Sequence, residues 1–517
     1  MRSIDGASRE PASHGPSPPA VPQPFANDRG RAPMRGTNVL FIMSDEHSKR
    51  VLGAYGTPMI ETPNLDRLAE RGTLFENAYT PSPICVPARA AFATGRWVHR
   101  IGCWDNAHPY LGTPPSWGHR LQAAGIRCDS IGKLHYRAAE DPTGFDNEIL
   151  PMHVLDGKGD VQAMIRRPPP KRPSTAELAG DAGPGESTYL AYDRAIRDRA
   201  IAWLETAAAA PSGRPWCLFV SFVCPHFPLV APKEFFDLYP LDKLPLPRFR
   251  GAGEFPDHPV LETLRRIQDY DDHFASEEHV KIAIAAYWGM VSFLDHNIGL
   301  VLAALERTGL AENTFVIYTS DHGDNLGTRT FWGKSNMYEE SVGIPLIVKG
   351  PGIPRCRRVR TIVNLVDGYP TIVQAVGLEP TPEEVDLPGR SLLELATGPD
   401  IERVGFSEYH AVGSTTGIFM VRFGRYKYVH YEGDRPQLFD LEADPFESRD
   451  LALRPGHETL LEEGRRRLLA ICDPAAVTAR AFADQEAAIA RLGGREKLLA
   501  MGSYPYTPAP GEKPRWA

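Results

Sequence analysis

Up to about residue 400, short apolar runs alternate with longer stretches in which apolar residues recur at spacings of three and four. Asn38-Val-Leu-Phe-Ile-Met43, Trp216 to Val223, Thr314 to Thr319 and Ile344 to Val348 read as strands buried on both faces, because nothing polar alternates with their apolar positions. Ile126 to Ile131 is a weaker run of the same kind. Ala283 to Thr308 has the spacing of a helix. This alternation predicts an α/β domain: a largely parallel central sheet sandwiched by helices.

Beyond residue 400 the texture changes. Gly417 to Phe423 and Tyr426 to Tyr431 are close-set strand patterns around Gly424-Arg425, so they predict an antiparallel hairpin. Gln437 to Leu441 adds a short run, Leu460 to Leu492 is helical in pattern, and Pro505, Pro508, Pro510 and Pro514 mark an extended end. The expected organisation is a disordered leader over 1–36, a catalytic domain over 37–399, a smaller α+β domain with an antiparallel sheet over 400–475, and a helical, then extended tail over 476–517. The tail carries too little apolar content to form a core alone.

Composition narrows the function classes. At 42% hydrophobic and 24% charged, the chain is an ordinary globular one. A net charge of -8 argues against a nucleic-acid partner, which calls for a basic excess. No apolar run is read as long enough to span a bilayer, and residues 1–36 lack the apolar stretch of a secretory signal. The seven cysteines are odd in number and form no metal-type pairs, so they are expected reduced and mostly buried. A cytoplasmic location without membrane attachment follows as the expectation.

In open parallel sheets, ligands bind beyond the carboxyl ends of the strands. The first run ends in Ser44-Asp45-Glu46-His47, the weaker one in Gly132-Lys133-Leu134-His135, the next in Cys224-Pro225-His226, and the fourth in Ser320-Asp321-His322-Gly323-Asp324. Any one of these is explained by a cap or a solvated loop, and Asp45 and Asp321 could each cap a following helix. Four together bring carboxylates, imidazoles and a lysine to one sheet edge. Asp45, Glu46, Asp321 and His322 offer the hard oxygens and single imidazole of a divalent cation site. His47 and Asp324 suit a solvent-facing role equally well.

Pro83-Ile-Cys85-Val-Pro87-Ala-Arg89 precedes an apolar helical stretch, which places Cys85 at a helix N-terminus. That position favours anions and is expected to lower a thiol pKa. Standing alone, the segment would read as a buried cysteine beside a helix-start proline.

Cys85-Val-Pro-Ala-Arg89 resembles the formylglycine motif of the type I sulfatases, in the alkaline phosphatase superfamily. Gly125 to His135 is similar to their second signature, and Thr62 to Ala69, Ser320 to Gly327 and Leu438 to Pro445 are similar to further segments, in the family's order, over residues 37 to 450. The resemblance implies that a maturing enzyme oxidises Cys85 to formylglycine, whose hydrate is the nucleophile. It implies one metal cation, Ca²⁺ before Mn²⁺, held by Asp45, Glu46, residue 85, Asp321 and His322. It implies that Arg89 steadies the hydrate, that Lys133 and His135 contact hydrate and ester, and that His226 and Lys334 bind ester oxygens and assist the leaving group.

Asp321-His322 stands where many sulfatases have Asp-Asn. The Asp-His form is shared with choline sulfatases and phosphonate monoester hydrolases. A small-molecule sulfate ester is the expected substrate, with phosphonate monoester or phosphodiester hydrolysis as the rival reading. An inactive anion-binding relative and a thiol enzyme are alternatives of other classes. Lys133-Leu-His135 favours sulfate, since phosphonate hydrolases tend to carry neutral hydroxyl residues there. The alcohol pocket is expected from loops that include residues 137–190, with Trp104, Asp105 and Asn106 as candidate lining.

Overall fold

Every residue of Asn38–Asp45 (β1) is buried, as a run without polar alternation requires. The computed structural model describes residues 36–251 and 253–516; the leader expected over 1–36 therefore lies outside the described residues except for Gly36. Seven further strands join β1: Thr73–Phe75 (β2), Arg127–Lys133 (β3), Asn147–Met152 (β4), Trp216–Pro225 (β5), Thr314–Ser320 (β6), Leu346–Lys349 (β7) and Arg357–Val359 (β8). Their spatial order is β8-β2-β7-β6-β1-β5-β3-β4. The five from β6 to β4 are mutually parallel. The run read at Ile344 to Val348 is β7, which pairs antiparallel with β6 and β2.

Both faces of the sheet are covered, and the strand residues divide between them with period two. Leu40, Ile42, Leu218, Val220, Val316 and Tyr318 face a core built on Thr188–Ala209 and Glu277–Arg307. Val39, Phe41, Cys217, Phe219, Phe315 and Ile317 face the other, which includes Phe92 and Trp117. This is the expected α/β sandwich.

One sequence reading needs correction. Glu277–Arg307 is long and apolar enough to cross a bilayer by length and composition, and 72% of its most apolar window is buried inside the protein. Its apolar side chains belong to the core on one face of the sheet.

The weaker run turns out to be the internal strand β3. Its signal is weak because Asp129 and Ser130 interrupt it, yet Asp129 is fully buried. Its carboxylate accepts from Trp203 Nε1 at 2.7 Å, Arg127 Nε at 2.8 Å and Asn147 Nδ2 at 2.9 Å. A buried charge so paired is tolerated in a core.

Beyond residue 400, Val404–Tyr409 (β9), Ile418–Phe423 (β10), Tyr426–Tyr431 (β11) and Gln437–Asp440 (β12) form an antiparallel sheet in chain order. The expected hairpin is β10-β11, with Phe423 opposite Tyr426 and Gly424 at φ 46° in the turn. Helices Glu458–Leu469 and Pro474–Arg491 follow. The tail has apolar partners within its own chain. Tyr506 and Ala509 join the core that contains the Glu277–Arg307 helix, and Thr507 O accepts from the buried Tyr189 hydroxyl at 2.6 Å.

Lys427 of β11 ties the small sheet to the segment at Met337 and Glu339 that leads into β7. Fully buried, its Nζ lies 2.9 Å from Glu339 Oε1 and 2.7 Å from Glu447 Oε1, and it donates to Met337 O at 2.8 Å. Burial opposes ionisation of Glu339, but Lys427 and Lys49 outweigh it and hold that carboxyl well below its usual range. Lys427→Met is expected to lower the unfolding free energy by about 3–5 kcal/mol, because two buried carboxylates lose their shared cation. Urea denaturation measures this, and a loss under about 1 kcal/mol would refute the role.

Candidate active site

The four strands whose ends carry the candidate chemistry are neighbours in the order β6-β1-β5-β3. Because they are parallel, Asp45, His135, His226 and Asp321 all emerge at one edge. The chain turns abruptly there: Glu46 has φ 66° and His135 φ 56°, left-handed values that side-chain-bearing residues rarely adopt. Neither Asp45 nor Asp321 caps a helix; Asp45 ends β1 and Asp321 follows β6 directly.

Cys85 opens a buried helix, Cys85–Thr94, whose first turn points at this edge. Its Sγ lies 3.2 Å from His322 Nε2 and 3.6 Å from Asp45 Oδ1. Ligand atoms of Asp45, Cys85, Asp321 and His322 all fall within 4.8 Å of one another. His322 Nδ1 lies 3.1 Å from Gly323 O, so a proton held there leaves the Nε2 lone pair facing the cluster. Glu46 Oε1 is buried beside them without a hydrogen-bond partner. Three carboxylates, one of them with an orphaned oxygen, and one imidazole with its lone pair inward fit a divalent cation.

Arg89 and Lys133 lie beneath this cluster. Arg89 Nε donates to Asp321 Oδ2 at 2.7 Å, and Nη1 to Ser221 Oγ at 2.9 Å and Lys133 O at 2.8 Å; Nη2 makes no hydrogen bond and lies 3.7 Å from Asp45 Oδ2. Lys133 Nζ is bonded to Asp45 Oδ2 and fully buried. Sequence reading expected Lys133 to contact hydrate and ester; in the structure its amine lies on Asp45. On the open side, Lys334 Nζ donates to Glu46 Oε2 at 2.7 Å and to His226 Nε2 at 2.9 Å. His226 Nδ1 is 2.7 Å from Phe227 O, which leaves Nε2 as the acceptor. His135 is buried with both ring nitrogens unpartnered.

Burial and mutual charge set the protonation pattern. Burial works to raise Asp45, but Lys133, His226 and Arg89 outweigh it and hold the carboxyl well below its usual range. Burial raises Glu46 well above its range, only partly offset by Lys334. Burial and neighbouring cations keep His135 and His226 neutral, through Lys133 and Lys334 respectively. The thiol corrects an expectation: burial and the Asp45 charge push Cys85 up to about 11, overriding the helix N-terminus. With no cation beside it, this environment disfavours the thiolate.

Cys85, His135, His226 and Lys334 line one cavity of about 80 Å³, whose outer walls come from loops and from the tail residues Tyr504 to Thr507. Of the candidate lining residues, Asn106 is there, its Oδ1 accepting from Val86 N at 3.2 Å. Trp104 and Asp105 instead pack inward on Asp484 and Gln485. His47 is structural, its ring bonded to Tyr318 Oη at 2.5 Å and Val51 O at 2.9 Å. Asp324 faces inward, accepting from Gly333 N at 3.1 Å and Leu326 N at 2.7 Å, and so shapes the loop that carries Lys334. Sequence reasoning missed Ser221, and it missed the loop residues Asp160, Arg172, Tyr270 and Trp332, which carry no local motif.

Residues 37–378 match the family model described as Sulfatase, and residues 327–473 match one described as N-sulphoglucosamine sulphohydrolase, C-terminal. A choline-sulfatase of Rhizobium meliloti (strain 1021) is 32% identical over 81% of this chain and 83% of its own length. An arylsulfatase K of Homo sapiens is 29% identical over 84% of this chain and 82% of its own. Among solved structures, a phosphonate monoester hydrolase of Agrobacterium radiobacter superposes with TM-score 0.69 at 24% identity, over 84% of this chain and 95% of that one, a likeness of fold.

Proposed function

The chain belongs to the sulfatase family of metal-dependent hydrolases, in the alkaline phosphatase superfamily, and from that premise we propose that it hydrolyses small sulfate monoesters with a nucleophile made from Cys85. The observation that carries the reading is Cys85 itself. It sits at a helix start among Asp45, Asp321 and His322, in a cavity shared with the unpartnered His135.

One divalent cation held by Asp45, Glu46, residue 85, Asp321 and His322 would polarise the ester oxygens, with Ca²⁺ ahead of Mn²⁺ on a donor set rich in carboxylate. Oxidation of Cys85 by a maturing enzyme would supply a hydrated aldehyde, one hydroxyl of which attacks sulfur. Arg89, fixed by Asp321 and Ser221, keeps Nη2 free to steady that hydroxyl. Lys334, positioned by its hydrogen bond to His226 Nε2, stands on the open side to protonate the departing alcohol oxygen. His135 is buried and neutral and accepts the proton of the second hydroxyl, so that sulfate departs and the aldehyde returns. Lys133 holds Asp45 in its ionised form from below.

A sulfate monoester and a phosphodiester are both monoanions, so charge alone does not separate them. Geometry does: a sulfate ester presents three bare oxygens, and His135 and Lys334 offer donors where a diester needs room for a second substituent. The test compares kcat/KM for matched aryl sulfate and aryl phosphodiester on fully modified enzyme. Sulfate is expected to lead by about tenfold or more. A preference for the diester would replace this reading with a phosphonate or phosphodiester hydrolase.

A further inference from the structure

Asp45 and Glu46 are neighbours in the chain, and along a strand neighbouring side chains point to opposite faces. Yet both carboxylates reach one cluster: ligand atoms of Asp45, Glu46 and His226 lie within 4.8 Å of one another. The chain achieves this by turning at once after β1, with Glu46 at φ 66°. A side-chain-bearing residue keeps such a conformation only where its surroundings over-determine it.

The surroundings do so through three successive amides and a carbonyl. Glu46 N donates to Asp321 Oδ1 at 3.2 Å, and His47 N to Ser320 Oγ at 2.9 Å. The Tyr287 hydroxyl, carried by the Glu277–Arg307 helix, brackets the turn: it donates to Glu46 O at 2.6 Å and accepts from Ser48 N at 2.9 Å. A hydroxyl has one proton, so these two bonds fix its orientation. Ser320 Oγ donates in turn to His322 O at 2.8 Å, which ties the Glu46 turn to the one that carries Asp321 and His322. Tyr287 and Ser320 are fully buried, and neither lines the cavity. With its backbone held on both sides, the Glu46 carboxylate is placed as well: Lys334 takes Oε2 at 2.7 Å, and Oε1 stays unpartnered beside the cluster.

We propose that the hydroxyls of Tyr287 and Ser320 form a clamp that keeps this turn left-handed and thereby holds Glu46 on the cation. Both are positioning residues; neither touches the cation or the ester. The proposal rests on Glu46 being one of the cation's ligands, and it adds what places that ligand. Without the Tyr287 hydroxyl, a buried amide and a buried carbonyl lose their partner, and the turn relieves that cost by opening. An opened turn swings Glu46 back towards the face opposite Asp45.

The experiment titrates the full-length protein, stripped by a chelator, with Ca²⁺ alone and with Mn²⁺ alone in a calorimeter. Tyr287→Phe and Ser320→Ala should each weaken binding of the preferred cation by about tenfold or more. Tyr239→Phe is the control. It removes another buried hydroxyl packed on the same helix, bonded to Ser292 Oγ and to Glu61 N, and should change the affinity by less than about twofold. In a Glu46→Ala background, Tyr287→Phe should add less than about twofold, because the clamp acts only through Glu46. With the cation in large excess, turnover by Tyr287→Phe should return to within about threefold of wild type.

Wild-type affinity in both clamp variants would overturn the proposal, as would the same tenfold loss with Glu46 already removed. Should Tyr287→Phe fail to fold, Ser320→Ala decides by the same two readings. Glu46→Ala binding as tightly as wild type would remove Glu46 as a ligand and the clamp with it, and would leave the cation on Asp45, Asp321 and His322. Wild type that binds neither cation would overturn the metal reading itself.

Discussion

Asp321→Ala is expected to lose the bound cation and at least about 10³-fold of kcat/KM together. Asp321 has two jobs at one place. Its Oδ1 accepts from Glu46 N at 3.2 Å and His322 N at 2.9 Å, and its Oδ2 takes the Arg89 guanidinium at 2.7 Å. The substitution removes a ligand, frees the turn that carries Glu46 and leaves Arg89 as a buried cation held only by neutral acceptors and the more distant Asp45. Elemental analysis of the purified variant beside wild type reads the metal, and steady-state kinetics reads the activity. Full metal occupancy in the variant would contradict the ligand assignment. Retained activity with the metal gone would contradict the role of the metal.

Cys85→Ala should abolish turnover to a similar extent, for a different reason. Burial and Asp45 push the unmodified thiol up to about 11, which disfavours the thiolate while no cation lies beside it. In the proposed mechanism activity comes from the oxidised residue. In active protein, mass spectrometry of the tryptic peptide containing residue 85 should show loss of sulfur and gain of a carbonyl oxygen. Activity should scale with the modified fraction when the protein is made with and without a maturing enzyme. Full activity from protein that carries only the thiol would refute the nucleophile. Asp45, Asp321 and His322 remain in Cys85→Ala, so this variant should keep more metal than Asp321→Ala. The two substitutions thus separate cation binding from chemistry.

Much of this was legible along the chain. The apolar runs at Asn38, Trp216 and Thr314 were strands because a sheet covered on both faces tolerates no alternation, and each was followed at once by polar residues where the strand left the core. Cys85 and Arg89 were legible because they lie four residues apart on one helix, and the Asp321-His322 pair because it is contiguous. The Asp129 strand was faint, since its buried charge is satisfied by Trp203 and Asn147, remote in sequence. The helix over Glu277–Arg307 showed its period but not its membrane-like length, which only its burial against the sheet makes intelligible.

Local pattern by itself determined the residue types at the strand ends, the helix that starts at Cys85 and the α/β class, because those depend on neighbours within a few positions. Tertiary structure decided what those residues face. It turned Lys133 onto Asp45, 88 positions away, and left His135, His226 and Lys334 to line the cavity. It raised the Cys85 thiol by burial where the helix terminus alone would have lowered it. It also set Arg172 against Asp160 and folded Tyr504 to Thr507 over the same space. Electrostatics and desolvation act through space, so a charge's partner and its exposure are properties of the packed molecule and leave no spacing in the chain to be read.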